Sequence, residues 1–210
     1  HVCNHSDYNG RYAFDEQPGV GLWNLKALAH AFSALLSKDQ LVECLAQYEP
    51  ILVNEYSGLM RHKLGLSKND KGDQVLLGEW LGLLQKDKRD YTNSWRLLSN
   101  YDGSNDASII DHFIDRAAAS KWLEKYKHRL LLEKDDTQVR MQKMKAVNPK
   151  YILRNYLAQQ AIKAAEAGDN AELESLFEVL KQPFDEQPEF EQYAQTPPDW
   201  GKELSISCSS

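Results

Sequence analysis

Apolar residues recur at three- and four-residue steps along most of this chain, the spacing of one face of an α-helix. The first stripe consists of Leu22, Leu25, Leu28, Ala29, Phe32, Leu35 and Leu36. Pro18 and Gly19 mark its start. A second stripe runs over residues 38–64, and Pro50 within it predicts a break or kink near Tyr48–Glu49.

The polar segment 67–73 separates this part of the chain from a third apolar stripe, which carries Trp80. Asp90 and Thr92 are candidate N-caps of a short helix around Trp95, because their side-chain oxygens can accept from free backbone amides. Three further helices are predicted over residues 107–115, 116–133 and 136–145.

The clearest helical pattern lies in the Ala-rich segment 151–169. Gly168 stands where a helix-ending residue in left-handed conformation is needed. Asp169 and Glu172 have the spacing of a capping box for a helix over residues 171–181. No stretch alternates apolar and polar residues as a strand would. The sequence therefore predicts an all-α fold of about seven to nine helices with a Pro-rich, loop-like tail.

Composition and charge exclude several classes of function. The chain has 210 residues, 42% of them hydrophobic, and a net charge of −6, which disfavours phosphate-backbone binding and hence nucleic-acid partners. The one basic stretch, 121–129, is interpreted as a solvated helix face. No apolar run is long enough for a membrane span, so no membrane partner is expected. Because the chain opens on His1 rather than Met, we interpret it as part of a longer protein.

Few residues suggest chemistry. No Gly-rich phosphate loop is present, and the Asp111, His112 and Asp115 group favours capping or surface roles over metal binding. Three cysteines are too few for a secreted disulfide scaffold, which favours an intracellular protein, and Cys44 is expected in the core. The tryptophans are also predicted core anchors, namely Trp23, Trp80, Trp95, Trp122 and Trp200.

The segment "CNHSDYNGRYAF" (residues 3–14) reads as a structured loop, because Asn, Ser and Asp side chains hydrogen-bond nearby backbone and favour turns. Three interpretations stay open. The segment could dock on the first helix through Tyr12 and Phe14, or it could be a loop of a catalytic centre. A thiolate on Cys3 stabilised by His5 is a third possibility.

Four segments of the chain resemble selenoprotein O, the YdiU-like family of protein adenylyltransferases with a pseudokinase fold. They are "CNHSDYNGRYAFDEQPGVGLWNL" (3–25), "NPKYILRNYLAQQAIKAAEAGD" (148–169), "PFDEQPEFEQYAQTPPDWG" (183–201) and the terminal "SCSS". The resemblance implies a protein that binds ATP with Mg²⁺ or Mn²⁺ and transfers AMP to Ser, Thr or Tyr hydroxyls of protein substrates. UMP transfer is also described for bacterial members of the family.

The family's nucleotide-binding and catalytic motifs lie N-terminal to "CNHSD" and have no match in this sequence, so no catalytic or metal-binding residue is assigned to this chain. The resemblance implies three regions: an activation-segment-like loop (1–19), a helical C-lobe-like bundle (20–182) and a Pro-rich tail with a redox cysteine (183–210). The loop residues are Asn4, His5, Ser6, Asp7, Gly10, Arg11 and Tyr12. The implied partners are the missing N-terminal kinase-like portion and protein substrates.

The family also places its selenocysteine, or the cysteine that replaces it, in the terminal motif, here at Cys208. The resemblance therefore implies a redox contact between Cys208 and Cys3. The expected function is that of a C-terminal part of an adenylyltransferase, inactive alone, in the cytoplasm of a bacterium or the mitochondrion of a eukaryote. The alternative is a helical interaction or redox module that acts through a Cys3–Cys208 disulfide.

Overall fold

The computed structural model describes residues 7–202 and residue 204. Within them the backbone forms α-helices and short 3-10 segments (Phe14–Glu16 and Pro188–Ala194) and no strand, which confirms the all-α prediction. The helices are α1 (Gln17–Ala31), α2 (Lys38–Ala46), α3 (Tyr48–Lys63), α4 (Asp73–Lys86), α5 (Tyr91–Ser99), α6 (Asp106–Ile110), α7 (Arg116–Leu130), α8 (Thr137–Val147), α9 (Asn155–Glu166), α10 (Ala171–Lys181) and α11 (Asp199–Lys202). None of these helices is long and apolar enough to span a bilayer.

The chain divides into two compact units, and the division falls within α3. The first unit contains residues 1–57 and 203–210, and the second contains residues 58–202. In the first unit α2 ends at Ala46 and α3 begins at Tyr48, so the predicted break is confirmed. Pro50 lies in the first turn of α3, where the missing amide hydrogen breaks no helical hydrogen bond.

The second unit is built around a cluster of buried aromatic rings. The centroid of the Trp80 ring lies 5.9 Å from that of Trp95 and 4.5 Å from that of Trp122. The Trp122 ring stacks on the Tyr126 ring with 5.0 Å between their centroids. The indole N–H of Trp122 donates to the backbone carbonyl of Leu76 at 2.9 Å. These contacts join α4, α5 and α7, so three of the five predicted core tryptophans are confirmed.

A smaller core lies between α9, α10 and the 3-10 segment Pro188–Ala194. Gly168 ends α9 with a φ of 88°, as predicted, because a left-handed residue strains any side chain but glycine's. The predicted capping box is wrong: Asn170 precedes α10 without a side-chain cap, and the Asp169 carboxylate accepts from the Ala171 amide. Two residues of the Pro-rich tail, Tyr193 and Ala194, are buried in this core, so the tail is packed rather than loop-like there.

Three core assignments from the sequence are wrong. Trp23 and Trp200 are about half exposed, and Cys44 on α2 is exposed. Trp200 contacts the Tyr156 ring edge-on with 6.0 Å between centroids, so one side of its indole is packed. A core residue needs side chains packed against it on all sides. The spacing of apolar residues along the sequence does not show whether the folded chain provides them.

The basic stretch on α7 is a solvated face with one exception. Lys125 and Lys127 are exposed and pair with Glu79 and Asp106, whereas Arg129 is buried. The Arg129 guanidinium donates to Asp73 at 2.6 Å and to Glu133 at 2.7 Å. It also donates to the backbone carbonyl of Lys68 at 2.8 Å, so this single side chain joins α7 to the segment before α4.

We expect Arg129→Ala to lower the free energy of unfolding by about 3–5 kcal/mol, because it leaves two carboxylates buried without their cation. Arg116→Ala is the matched control, since Arg116 also pairs with an aspartate at 2.6 Å but both side chains are exposed. The control should change stability by about 0–1 kcal/mol. Urea denaturation at pH 7 measures both, and equal effects of the two substitutions would contradict the structural role of Arg129.

Candidate functional site

The candidate site is the loop of residues 7–14, which precedes α1 and is held together by the side chain of Asp7. The Asp7 carboxylate accepts from the backbone amides of Arg11 at 3.0 Å and Tyr12 at 2.8 Å. The Asp7 carbonyl accepts from the amide of Gly10 at 3.0 Å. Gly10 has a φ of 65°, so the turn uses the one residue type that adopts this conformation without strain. The predicted structured loop is confirmed over these residues.

The loop contacts α1 through Arg11 rather than through the predicted aromatic pair. The Arg11 guanidinium lies over the Trp23 ring, 4.7 Å from its centroid, in a cation–π contact. The Gln17 side-chain amide donates to the carbonyl of Tyr12 at 2.8 Å. Docking through Tyr12 and Phe14 is wrong, because the Phe14 side chain is 82% exposed and Tyr12 is also exposed.

Three aromatic side chains of the loop therefore face solvent, and Tyr8 is the most exposed at 93%. Together with Arg11 they form an apolar and cationic surface at the start of α1. Such surfaces suit contact with another protein, since aromatic residues and arginine are enriched where proteins bind one another.

The base of the loop is fixed by a close contact between α1 and α3. The Tyr48 hydroxyl donates to the Pro18 carbonyl at 3.0 Å. A Cβ atom at Gly21 would lie 2.7 Å from the same hydroxyl, closer than real Cβ contacts allow. Gly21 thus permits the close packing of α1 against Tyr48 of α3.

The other predicted site residues, Cys3, Asn4, His5, Ser6 and Cys208, lie outside the described residues. The Cys3–His5 thiolate and the Cys3–Cys208 redox contact therefore remain predictions. No group of three or more His, Cys, Asp or Glu side chains that could hold a metal is found in residues 7–202 and 204.

The Asp111, His112 and Asp115 group has structural roles, as the capping interpretation predicted for Asp115. The Asp115 carboxylate accepts from the Ala118 amide at 3.0 Å and caps α7. His112 lies 2.8 Å from the Ser94 hydroxyl, a pair that sequence reasoning missed because eighteen residues separate the two. Ser94 is fully buried and donates to the Asp90 carbonyl at 2.6 Å, so this hydroxyl is not an accessible nucleophile.

A second polar site, also missed from the sequence, lies in the second unit beside a cavity of about 370 Å³. Glu186 accepts from the buried Arg96 at 2.7 Å and from Lys150 at 2.8 Å. The hydrogen bond from Lys150, with the charge of Arg96, lowers the pKa of Glu186 to about 2. The Pro183 carbonyl accepts from the amides of Lys150 and Tyr151 at 2.8 and 3.1 Å. Two of the segments that carry the family resemblance therefore pack against each other.

The chain matches the model of the family described as protein adenylyltransferase SelO over residues 1–181. It is also similar to proteins described as protein nucleotidyltransferase YdiU. The relative from Vibrio vulnificus (strain CMCP6) is 52% identical, and the match covers 100% of this chain and 44% of that protein. The relative from Aliivibrio salmonicida is 54% identical with 100% and 43% covered, and that from Yersinia pseudotuberculosis is 53% identical with 100% and 44% covered. The chain thus spans less than half the length of these relatives.

We expect Asp7→Ala to increase hydrogen exchange at the Arg11 and Tyr12 amides, because both lose their acceptor. Global stability should change by less than about 0.5 kcal/mol, since the loop is exposed. Glu16→Ala removes an exposed carboxylate at the start of α1 that makes no capping bond and serves as the control. Amide exchange measured by NMR checks this, and equal exchange in both variants would show that Asp7 does not order the loop.

The Glu186 contacts should make stability depend on pH in the acidic range. The pKa of Glu186 is about 2 in the folded chain and 4.5 ordinarily, so its stabilising contribution is complete above about pH 4.5 and is lost as pH falls toward 2. The difference in thermal midpoint between the parent chain and Glu186→Gln should shrink over this range. Glu178→Gln, which removes an exposed ion pair with Lys181, should have little effect at any pH. If the difference in thermal midpoint between the parent chain and Glu186→Gln stays constant down to pH 3, the stabilising role of ionised Glu186 is contradicted.

Proposed function

Since this chain belongs to the SelO family of protein adenylyltransferases, we propose that it is the C-terminal part of an enzyme that transfers AMP from ATP to Ser, Thr or Tyr hydroxyls of proteins. The observation that carries this proposal is the family match over residues 1–181. The relatives from Vibrio, Aliivibrio and Yersinia, described as nucleotidyltransferases, support the same reaction class. They also support a bacterial setting, and we propose the cytoplasm as its location.

In this reaction the hydroxyl oxygen of the acceptor side chain forms a bond to the α-phosphorus of ATP. The bond between that phosphorus and the bridging oxygen breaks, pyrophosphate leaves, and the hydroxyl proton passes to a base. The sequence has no Gly-rich phosphate loop, and residues 7–202 and 204 offer no cluster of metal ligands. Residues 7–202 and 204 thus offer no evident set of ligands for ATP with Mg²⁺ or Mn²⁺, and we propose that the nucleotide site lies in the remainder of the protein.

We propose that the loop of residues 7–14 borders the reaction site and contacts the protein substrate. Asp7 holds the turn by two backbone hydrogen bonds, so the loop has a defined conformation without a partner. The exposed Tyr8 and Phe14 rings and the Arg11 guanidinium provide an apolar and cationic surface. This surface suits the activation-segment role that the family resemblance implies, in which a loop near the reacting groups positions a protein acceptor.

We propose that the second unit is a rigid support. Its core holds three tryptophans, and two of its buried arginines form ion pairs, Arg129 with Asp73 and Arg96 with Glu186. The proposed redox contact between Cys3 and Cys208 concerns residues outside the described range and is independent of this support.

The chain alone should transfer no AMP, whereas a hybrid protein should. In the hybrid, this chain replaces its 52%-identical counterpart in the Vibrio vulnificus relative. Both are incubated with ATP labelled at the α-phosphate, Mg²⁺ or Mn²⁺ and a protein acceptor, and label on protein is measured after gel separation. Labelling by the isolated chain would show that it holds its own catalytic centre.

The loop is tested in the same hybrid. Arg11→Ala and Phe14→Ala should raise the KM for the protein acceptor and leave the KM for ATP unchanged, since these side chains are proposed to contact only the acceptor. Leu131→Ala, an equally exposed apolar position in the second unit, is the control. A change in the KM for ATP, with the KM for the acceptor unchanged, would indicate that the loop contacts the nucleotide and not the acceptor.

A further inference from the structure

Three cationic side chains converge on the carboxylate of Glu186, beside the cavity of about 370 Å³ in the second unit. Arg96 pairs with this carboxylate at 2.7 Å and Lys150 at 2.8 Å, and the Lys145 ammonium lies 3.7 Å away. Lys150 also pairs with Glu191. The group therefore combines three positive with two negative charges, which leaves one positive charge in excess.

The ion pair of Arg96 differs from that of Arg129 in the exposure of its carboxylate. Arg129 pairs with Asp73, and both side chains are buried, at 7% and 4% exposed. Glu186 is 51% exposed, although the Arg96 side chain is only 8% exposed. A carboxylate that reaches water can leave its cation at a small cost, whereas a buried carboxylate cannot. Glu186 is therefore the exchangeable member of its ion pair.

Arg96 is held in place by contacts that do not involve Glu186. Its guanidinium donates to the backbone carbonyls of Lys145 at 3.1 Å and Asn148 at 3.0 Å. Its Nε–H is buried and has no acceptor in the part of the chain that the structure describes, so the guanidinium is not saturated. If the Glu186 side chain turned toward solvent, the buried cation would stay where it is and would require another anion.

The backbone around Glu186 is fixed independently of its side chain. The Pro183 carbonyl accepts from the amides of Lys150 and Tyr151 at 2.8 and 3.1 Å. The Tyr151 hydroxyl donates to the carbonyl of Gln187 at 2.8 Å. Rotation of the Glu186 side chain about its own bonds is therefore enough to vacate its position, and the tail stays packed.

The adjoining cavity has the size and the lining of a site for a small polar ligand. Its volume lies within the usual range of small-molecule pockets, about 300–1,000 Å³. Besides the charged groups it is lined by three side-chain amides, those of Asn93, Asn100 and Gln195. Because amides donate and accept hydrogen bonds, they suit a ligand that is rich in oxygen.

We propose that this cavity binds a small phosphate-bearing molecule, whose phosphate group replaces the Glu186 carboxylate on Arg96 and Lys150. A phosphomonoester carries a charge of about −1.5 to −2 at pH 7, against −1 for the carboxylate, so the exchange neutralises the excess positive charge. Its oxygens are strong acceptors for guanidinium and ammonium donors. Glu186 then acts as an internal competitor for the site. This inference goes beyond the proposed function and does not depend on it.

An NMR titration of the intact chain with inorganic phosphate, at pH 7.5 and constant ionic strength, tests the proposal through the Arg96 Nε–H signal. Glu186→Gln should lower the Kd for phosphate about tenfold, because removing an internal competitor raises the fraction of sites that can bind. Glu178→Gln is the matched control, since it removes an exposed carboxylate that pairs with Lys181, and it should leave the Kd unchanged.

A charge-loss variant tests the cationic side of the site. Lys145→Gln removes a cation that is 31% exposed, so the site should keep its fold and the Kd for phosphate should rise about threefold. Lys181→Gln removes an exposed lysine outside the site and should have no effect on the Kd.

Stability provides a second measurement. Phosphate should raise the thermal midpoint of Glu186→Gln more than that of the parent chain, because a ligand that binds the folded state stabilises it in proportion to its affinity. Glycerol 3-phosphate distinguishes the source of the phosphate group. If it binds more tightly than inorganic phosphate, the site is one for an organic phosphate, and equal affinities assign it to the free ion.

Three results would overturn the inference. They are an Arg96 signal that does not respond to phosphate, an equal Kd in Glu186→Gln and the parent chain, and an equal Kd in Lys145→Gln and the parent chain. The hybrid protein described above repeats the titration, so the folding of the isolated chain does not decide the outcome. If the hybrid transfers AMP and no phosphate binds at Arg96, only this inference fails. If phosphate binds there and no AMP is transferred, only the proposed function fails.

Discussion

Buried arginine side chains are the constraint on which the second unit depends. A guanidinium carries five N–H donors and stays charged, so its burial is tolerated only where several acceptors surround it. Arg129 meets this requirement with Asp73, Glu133 and a backbone carbonyl. Arg140 on α8 donates to the carbonyl of Tyr101, and its other nitrogen lies 3.3 Å from the Tyr126 hydroxyl. Each arginine thereby fixes the distance between segments that are far apart in sequence.

The same constraint joins the two cores of that unit. Arg154, which precedes α9, makes a two-point contact with the Asp90 carboxylate at 2.6 and 3.1 Å. Asp90 also caps α5 by accepting from the Asn93 amide at 2.9 Å. Arg96 on α5 donates to the Asn148 carbonyl at 3.0 Å and to Glu186. Helix α5 of the tryptophan core is thus hydrogen-bonded to the segment that precedes α9 and, through Glu186, to the tail, which anchors the tail at that point.

Sequence reasoning found the helices and several of their ends because these depend on residues a few positions apart. Asp90, Asp115 and Asp136 each cap a helix through an amide three residues later. It missed the Ser94–His112 pair and the Arg96–Glu186 pair because their members are brought together only by folding. It placed Trp23 and Cys44 in a core for a related reason. An apolar side chain predicts that the residue is buried, but it does not identify the segment that packs against it. The loop around Asp7 was predictable as a turn, whereas its contact through Arg11 was not.

Trp23 is one of the two points at which the loop is attached to α1. The Arg11 guanidinium of the loop lies over its indole ring, 4.7 Å from the centroid. The side-chain amide of Gln17, at the start of α1, donates to the Tyr12 carbonyl and provides the second attachment. The position of α1 therefore sets the orientation of the loop. A cation–π contact strengthens when water is removed from around it, so the proposed binding of a protein acceptor over Arg11 also strengthens the attachment of the loop to this helix.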